Sequence, residues 1–565
     1  MISKHEFSAI RIPIEKDNPA IVRNEELCIK CGQCRKVCEE EIAVGRMYDL
    51  AATNDTAVCI HCGQCANVCP VNSISEVDDT YKIKQAMQDP SMRIVVSTSP
   101  SVRVALGEEF GMPAGTFVEG LMVAALRSLG FHYVLDTNFS ADLTIMEEAA
   151  ELVKRISTHG TLPQFTSCCP AWVKFVETFY PEMRNHLSSA KSPIGMQGPT
   201  IKTYFAQKQK LAADRIFNVA LTPCTAKKFE IGRPEMNAAA AELDDVNLRD
   251  MDAVITTREL ARWLKAEGID LNALKPSEYD SFMGPASGAG IIFGNTGGVM
   301  EAAIRTAYWM LTDENPKADL VKLTPVRGMD GIREAELEIN GIPVRAAVVH
   351  GTENARQLME KIKAKAVNYD FVEVMTCRGG CIGGGGQPKS AVPMNDEIRQ
   401  ARIDSLYQKD ADSTIRFSHE NPQIQAVYKE FYSKPLSEKA ERFLHTEYAD
   451  RSAILNGVHP KVTDILPKAE PASKPATRRF KCMICGYVAE MDELPEDYKC
   501  PICFQGREMF EEIKPPKPEA EPASKLATRR FKCMICGYVA EMDELPEDYK
   551  CPICFQGREM FEEIV

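Results

Sequence analysis

Long hydrophobic runs, an export signal and an excess of positive charge are all missing from this sequence. No stretch of about 18 or more apolar residues occurs, so no membrane-spanning helix is expected. The start of the chain, MISKHEFSAI, has neither the basic stretch nor the apolar core of a secretory signal, which leads us to expect a cytoplasmic protein. A formal net charge of −13 argues against nucleic acid as a partner.

Cysteine, in contrast, is abundant, with 21 among the 565 residues. In a chain without an export signal, this number indicates metal ligation rather than disulfide bonds. The cysteines form three groups, with eight at 28–69, five at 168–381 and eight at 482–554. Because the total is odd, one cysteine is left over if every metal site takes four.

The chain is too long for a single core, and its composition changes along its length. After a cysteine-rich start, strand-like pieces such as 93–97 and 252–256 alternate with helical patterns such as 142–156. Tethers rich in Pro, Ala, Lys and Glu precede two nearly identical tail modules. The sequence therefore predicts an α/β multidomain protein: a cysteine-rich domain at 1–85, a central α/β domain at 86–455, a linker at 456–479, a module at 480–513, a linker at 514–530 and a second module at 531–565.

The eight cysteines of the first domain have the spacing of two adjacent 4Fe-4S clusters. The motif C-x2-C-x2-C-x3-C occurs at 28–38 and again at 59–69. Gaps of two residues let a tight loop place three thiolates around one cubane, and the fourth cysteine then points to the neighbouring cluster. Zinc binding by the same cysteines is the alternative. The predicted ligands are Cys28, Cys31, Cys34 and Cys69 for one cluster, and Cys38, Cys59, Cys62 and Cys65 for the other.

Five further cysteines lie in three separated stretches of the central domain. These are TSCCPAW (166–172), TPCTAKKFE (222–230) and EVMTCRGGCIGGGGQP (373–388). Ligands so far apart in the chain require a folded domain to bring them together, as in a buried catalytic site. By themselves they predict one more cluster and a spare thiol.

These three stretches resemble the three signature motifs of the FeFe-hydrogenases. SPSVRVALGEEFG (99–111), FSADLTIMEEAAELVKR (139–155), LSSAKSP (187–193) and SGAGIIFGNTGGVMEAA (287–303) resemble the same family, so the similarity extends over about residues 20–450. The resemblance implies a bacterial-ferredoxin-like domain and an α/β domain that holds an H-cluster. That cofactor is a 4Fe-4S cubane joined to a diiron unit with CO, cyanide and azadithiolate ligands. The resemblance assigns the cubane to Cys169, Cys224, Cys377 and Cys381, with Cys381 bridging to the diiron unit.

The leftover thiol, Cys168, would pass protons to the diiron unit. Glu148, Glu151 and Arg155 have the spacing of one helix face, which alone is typical of a solvated face with an ion pair. Together with Ser188, however, these residues match the family's proton relay. The resemblance therefore implies a path through Cys168, Glu148, Ser188, Glu151 and Arg155.

Four other residues are expected to surround the diiron unit. The resemblance implies that Lys227 donates a charge-assisted hydrogen bond to one cyanide. The backbone at Pro100 and Ser101 would face the other cyanide. Thr222 is a departure, since the family more often has methionine there, and this change puts oxygen sensitivity in doubt rather than the reaction.

Each tail module carries two C-x2-C knuckles, a pattern that makes a tetrahedral four-thiolate site. The modules resemble the shortened rubredoxin-like domain of rubrerythrins, with 14 residues between the knuckles. Iron would make them one-electron carriers, whereas zinc would make them structural ribbons. The predicted ligands are Cys482, Cys485, Cys500 and Cys503 in the first module, and Cys533, Cys536, Cys551 and Cys554 in the second.

The leading hypothesis is a hydrogenase that interconverts H2 with protons and electrons and exchanges those electrons with ferredoxin or a rubredoxin-linked redox protein. A hydrogen sensor that uses the same cluster to regulate a partner is the alternative. A hydrogenase-related iron–sulfur assembly protein is a third possibility, which Cys168, Glu148 and Ser188 disfavour.

Overall fold

The computed structural model divides into two compact units, residues 1–468 and 469–565. In the first unit it describes residues 10–284, 286–339, 341–389 and 395–458. In the second unit it describes 479–482, 488–490, 507, 510–512, 529–533, 539–542, 558 and 561–564. Within these ranges, none of the helices combines the length and apolar character that spanning a bilayer requires.

The strands and helices of the first unit alternate along most of its length. The strands are β1 (Ile21–Arg23), β2 (Ile74–Glu76), β3 (Arg93–Thr98), β4 (Tyr133–Asp136), β5 (Gln164–Phe165), β6 (Ile216–Thr222), β7 (Ala253–Thr256), β8 (Ile332–Ile339), β9 (Ile342–His350) and β10 (Phe371–Met375). The helices are α1 (Gln33–Glu40), α2 (Gln64–Asn67), α3 (Thr80–Ala86), α4 (Glu119–Ser128), α5 (Thr137–Ser157), α6 (Pro170–Phe179), α7 (Pro193–Thr200), α8 (Ala206–Gln209), α9 (Lys227–Glu230), α10 (Ala238–Leu243), α11 (Thr257–Ala266), α12 (Gly288–Ile292), α13 (Gly298–Thr312), α14 (Ala318–Val321), α15 (Thr352–Lys363), α16 (Asp396–Ala411), α17 (Pro422–Val427) and α18 (Glu438–Leu444).

The cysteine-rich start folds around a two-stranded antiparallel sheet of β1 and β2. Helices α1 and α2 each begin just after a glycine in the left-handed region, Gly32 with φ 77° and Gly63 with φ 70°. Glycine adopts this conformation without a steric penalty, so the chain can reverse between successive cysteines of each motif. Each cysteine loop therefore closes around a small volume.

Two separate sheets form the central α/β region. The first has the order β4-β3-β6-β7, and all of its strands are parallel. The second has the order β5-β10-β9-β8, in which β5, β10 and β9 are parallel and β8 returns as an antiparallel hairpin partner of β9. Ile94, Val95 and Val96 of β3 are fully buried, as expected for a parallel strand covered on both faces. The α/β class that the sequence predicts is confirmed.

Helix α5 packs against α7, α12 and α13 at the centre of this region. The Asp136 side chain accepts a hydrogen bond from the Asn138 amide and caps the start of the helix. The helix therefore begins five residues before the predicted 142–156 pattern, and its first half is buried all round, including Glu147 and Glu148. The strands differ less from their predicted bounds. The strand predicted at 93–97 extends to Thr98, and the strand predicted at 252–256 begins at Ala253.

Each tail module contains a three-stranded antiparallel sheet. In the first, β11 (Arg479–Cys482) lies between β12 (Val488–Glu490) and β13 (Phe510–Glu512). In the second, β14 (Arg529–Cys533) lies between β15 (Val539–Met542) and β16 (Phe561–Ile564). Cys482 and Cys533 thus end the central strands. The other predicted ligands lie outside the described residues: Cys485, Cys500, Cys503, Cys536, Cys551 and Cys554.

Candidate active site

A cavity lies where the carboxyl ends of parallel strands from both sheets meet. Its walls include Pro100 after β3, Cys168 after β5, Thr222 at the end of β6 and Met375 at the end of β10. The carboxyl ends of parallel strands are where α/β folds bind their ligands. The two sheets therefore supply one shared site from opposite sides.

All five central cysteines line this cavity. Cys169 is the residue that precedes α6, and Cys224 follows β6 in the next loop. Cys377 and Cys381 follow β10, in a loop that turns through Gly380 with φ 90°. The cavity also contains every residue predicted to surround a diiron unit: Lys227, Pro100, Ser101 and Thr222.

The donor set fits a sulfur-ligated metal cluster. Thiolates are soft ligands, which bind the iron of iron–sulfur clusters well and hard cations poorly. Among the described residues, no three His, Cys, Asp or Glu side chains converge closely enough to hold a single metal ion. Four thiols spread around one cavity, rather than converging on a point, match a polynuclear cofactor better than one ion.

Lys227 is held by two contacts at the edge of the cavity. Its Nζ donates to the Cys168 carbonyl oxygen at 3.1 Å and to Glu230 Oε2 at 2.8 Å. Glu230 also accepts from Ser192 Oγ at 2.9 Å. Burial disfavours the lysine charge, but the Glu230 carboxylate outweighs it and raises the pKa of Lys227. Glu230 is thus a positioning residue that the sequence motifs did not single out.

Glu151 lies at the outer end of the predicted relay and accepts four hydrogen bonds. Ser188 Oγ and the Ser189 amide donate to Oε2 at 2.7 and 3.0 Å. Arg155 Nη2 and Nε donate to Oε1 at 2.6 and 3.1 Å. Glu151, Ser188 and Arg155 are therefore one connected hydrogen-bonded group, as the relay requires.

Glu148 lies between this group and Cys168 and is buried with no protein hydrogen bond. Both carboxyl oxygens lack a partner of normal geometry within the described chain. Burial raises the pKa of Glu148 to about 8, the charge of Glu151 adds to this, and the nearby Ser188 hydroxyl opposes it. Burial likewise raises the pKa of the Cys168 thiol, so both groups hold a proton at neutral pH. An acid poised near neutrality suits proton transfer.

Two smaller cavities lie in the cysteine-rich region, and each is lined by four cysteines. One is lined by Cys38, Cys59, Cys62 and Cys65. The other is lined by Cys28, Cys31, Cys34 and Cys69. These are the two ligand sets that the spacing predicts. As predicted, the last cysteine of each motif, Cys38 or Cys69, lines the cavity of the other motif. Cys31 is exposed, so the second cavity lies at the protein surface.

Gln64 connects the central cavity to the cavity that is lined by Cys38, Cys59, Cys62 and Cys65. Its Nε2 donates to Cys377 Sγ at 3.1 Å and to the Gly383 carbonyl oxygen at 3.0 Å. Beside Gln64, the loop that carries Cys62 and the loop that carries Gly385 are in direct backbone contact. A Cβ added at Gly385 would overlap the Cys62 carbonyl oxygen. The 313-residue separation of Gln64 and Cys377 explains why no local motif could reveal this contact.

Three thiol-lined cavities, the central one next to a buried glutamate, are the arrangement expected of an iron–sulfur oxidoreductase. Family models agree. Residues 92–385 match the iron only hydrogenase large subunit, C-terminal domain, and 396–451 match the iron hydrogenase small subunit. Residues 20–70 match a 4Fe-4S dicluster domain, and 480–511 and 531–562 match the rubredoxin-like domain of rubrerythrin.

Individual proteins are similar to this chain over about two thirds to three quarters of its length. Iron hydrogenase 1 of Clostridium pasteurianum is 41% identical over 77% of this chain and 77% of its own length. A solved [FeFe]-hydrogenase structure from Chlamydomonas reinhardtii has 39% identity and a TM-score of 0.57, covering 65% of this chain and 98% of its own. A cytosolic iron–sulfur assembly component of Bos taurus is 33% identical over 65% of this chain and 76% of its length.

The chain belongs to the iron-only hydrogenase family. It is an oxidoreductase that acts on H2 and uses iron–sulfur cofactors. The predicted combination of a ferredoxin-like domain, an α/β hydrogenase domain and rubredoxin-like modules is confirmed. The ferredoxin-like and rubredoxin-like parts indicate redox carriers as partners.

Replacing Gln64 by leucine is expected to lower the reduction potential of the cubane that is predicted to bind at Cys377. A hydrogen bond to a thiolate sulfur stabilises the negative charge added on reduction. Losing about 1 kcal/mol of that stabilisation corresponds to about 40 mV for one electron. A redox titration followed by EPR measures the shift. Thr352→Val is the matched control, because Thr352 Oγ1 donates to the Ile42 carbonyl oxygen at 2.7 Å, in another contact between the cysteine-rich region and the central domain that involves neither Gln64 nor a cysteine sulfur. Equal shifts in both variants would contradict the prediction.

Proposed function

We propose that this chain interconverts H2 with two protons and two electrons at an H-cluster held by Cys169, Cys224, Cys377 and Cys381. The observation that carries the proposal is the gathering of these thiols, from three distant segments, around one buried cavity. When bound, the cluster supplies electrons and an open iron position for H2 chemistry. The protein supplies the ligands, a dry pocket and a proton path.

Two 4Fe-4S clusters are proposed to carry electrons to this site. The inner one would be held by Cys38, Cys59, Cys62 and Cys65, and the outer one by Cys28, Cys31, Cys34 and Cys69. Support comes from the two cysteine-lined cavities and from the Gln64 contact with Cys377. Because Cys31 is exposed, the outer cluster would exchange electrons with a ferredoxin or with a rubredoxin-linked carrier.

Protons are proposed to move along Cys168 Sγ, Glu148, Ser188 Oγ and Glu151 Oε2, with Arg155 orienting Glu151. In this order Cys168 and Glu148 hold a proton at neutral pH, the Ser188 hydroxyl can pass one on, and the Glu151 carboxyl can accept one from it. Support comes from the burial of Glu148 and from the Ser188–Glu151 hydrogen bond of 2.7 Å. Burial of the whole path limits exchange of these protons with water elsewhere.

Four cavity residues are proposed to orient the diiron unit rather than to react. Lys227 would hold one cyanide by a charge-assisted hydrogen bond, with Glu230 keeping the ammonium charged and in place. The Pro100 and Ser101 backbone would face the other cyanide. Thr222 would present a smaller and more polar wall than methionine.

The two tail modules are proposed to bind one iron each and to act as tethered electron carriers. Their assigned ligands are the two four-cysteine sets that end with Cys503 and Cys554. The support is their match to the rubredoxin-like domain of rubrerythrin in a chain whose other domains transfer electrons.

The sensing alternative is not favoured, because relatives that are 41% and 44% identical to this chain are named as hydrogenases. The assembly-protein alternative has weaker support. The Bos taurus assembly component is less similar to this chain than the hydrogenase of Clostridium pasteurianum. Cys168, Glu148 and Ser188 would also supply a proton path, which assembly alone does not need.

Infrared spectroscopy combined with an H2 assay tests the proposed function. Full-length protein matured with the diiron assembly machinery is expected to show CO and cyanide stretching bands and a high H2 turnover. Bands without turnover would favour the sensor, and turnover and bands both missing would leave the assembly protein.

A further inference from the structure

A lysine and a histidine are in direct contact where helix α6 meets the cysteine-rich region. Lys174 lies on α6, and its Nζ is 2.7 Å from Nε2 of His61. Both side chains are buried. His61 lies between Cys59 and Cys62, two ligands of the proposed inner cluster. The two residues are 113 positions apart, so folding alone brings this basic side chain to the loop of that cluster.

Hydrogen bonds define which atom donates in this contact. Asn18 Oδ1 accepts from the Ala20 and Ile21 amides, at 3.0 Å each, so this atom is the amide oxygen. His61 Nδ1 is 3.3 Å from it and therefore carries the proton that it donates. On the other side of the ring, two N–H donors do not face each other at 2.7 Å. Nε2 is thus the acceptor nitrogen of a neutral imidazole, and Lys174 donates to it.

Other groups around Lys174 attract a positive charge. Its Nζ lies 4.6 Å from the centre of the Phe229 ring, whose face is attractive to a cation. Burial lowers the pKa of Lys174, and the charges of Glu15 and Cys59 oppose this. Burial and Glu15 in turn raise the pKa of the Cys59 thiol to about 11, and the charge of Lys174 opposes them. Lys174 and Cys59 are therefore close enough to interact electrostatically.

A positive charge at this place has a predictable effect on a 4Fe-4S cluster. Reduction adds one negative charge to the cluster, so a nearby cation stabilises the reduced state and raises the reduction potential. In the protein interior, water screens this interaction only weakly. The neutral ring of His61 adds no charge of its own, but it holds the ammonium group of Lys174 at the cysteine loop. His61 is thus a positioning residue for the charge.

We propose that Lys174, oriented by His61, raises the reduction potential of the inner 4Fe-4S cluster through its positive charge. The proposal rests on the inner cluster described under the proposed function. No bond forms or breaks: one electron enters the cluster, and the lysine keeps its proton. The charge makes the cluster next to the catalytic cavity easier to reduce, so that an electron arriving at the outer cluster is drawn inward.

A redox titration of the full-length protein, followed by EPR, tests this role. Lys174→Gln keeps a hydrogen-bond donor for His61 but removes the charge. At a fixed potential, the ratio of reduced to oxidised inner cluster is expected to fall about 10-fold, which is a shift of about 59 mV to lower potential. Lys174→Arg keeps the charge and should stay close to the parent potential. Cys59→Ala identifies the step in the titration, because it removes a ligand of the inner cluster alone.

Lys191→Gln is the matched control. Lys191 is also buried, and its Nζ likewise donates to an uncharged acceptor, the Phe443 carbonyl oxygen, at 3.0 Å. Burial lowers its pKa, and the charges that oppose this are those of Asp250, Glu235 and Glu230. The control therefore removes a buried lysine charge from a different part of the domain, and the potential of the inner cluster should not change.

Two results would overturn the role of the charge. One is a parent potential in Lys174→Gln, and the other is a shift in Lys174→Arg as large as that in Lys174→Gln. If Lys174→Gln has a lower iron content or thermal stability, Lys174→Met decides, because it fills the same space without burying an unpaired polar group. Loss of the inner cluster in both neutral variants would make Lys174 a structural residue and would equally contradict the proposal.

Failure of the proposed function gives a different result. If the parent protein itself lacks the EPR signals of two accessory 4Fe-4S clusters, the proposed electron path is wrong. If the parent has both signals and Lys174→Gln keeps the parent potential, the electron path stands and only the role of Lys174 is refuted.

Discussion

Cys168→Ala is expected to lower H2 turnover by about 10²- to 10⁴-fold, the usual contribution of a positioned proton donor. The thiol is buried, protonated at neutral pH and adjacent in sequence to the proposed ligand Cys169, without belonging to the proposed ligand set itself. Removing it should therefore interrupt proton transfer and leave the metal site assembled. Infrared bands of CO and cyanide, measured on the same sample as the H2 assay, distinguish these two effects.

Ser167→Ala is the control for this variant. Ser167 is the adjacent residue, is equally buried, and donates to the Ala190 carbonyl oxygen outside the cavity. It should keep both the bands and the rate. A Cys168→Ala enzyme with near-parent turnover would refute the relay, because no proton path would then depend on this thiol.

Cys381→Ala is expected to remove activity completely, by a different route. In the proposed ligand set its sulfur bridges the cubane and the diiron unit, so the variant should lack CO and cyanide bands after maturation. The clusters of the cysteine-rich region should remain visible by EPR, because their eight cysteines line separate cavities.

Cys31→Ala is the counterpart of this experiment. Cys31 is exposed and lines the outermost cavity, so its loss should affect one accessory cluster and leave the CO and cyanide bands intact. Diiron bands that persist in Cys381→Ala would mean that the bridging ligand is assigned to the wrong residue.

Local spacing accounts for much of what the sequence could predict. Two-residue gaps between cysteines dictate how a short loop folds, so the two accessory sets follow from the spacing alone. The cysteines at 28–69 line separate cavities in the predicted groups, including the exchanged Cys38 and Cys69. Their roles as iron ligands stay predictions.

Burial and long-range contacts could not be predicted in this way. Glu148 and Glu151 have the pattern of a solvated helix face, and only the packing of α7, α12 and α13 around α5 shows that they are buried. The contact of Gln64 with Cys377, and that of Ser189 with His445, join residues far apart in the sequence. Such contacts depend on how two sheets and the terminal helices assemble, which single-residue patterns do not encode.

The meeting of Gly63 and Gly385 has a consequence for the speed of electron flow. Electron tunnelling weakens exponentially as the gap between donor and acceptor widens. Any side chain at Gly385 would push the Cys62 loop outward and widen the gap between the proposed inner cluster and the proposed H-cluster. Two missing β-carbons would therefore keep the last tunnelling step between these clusters short.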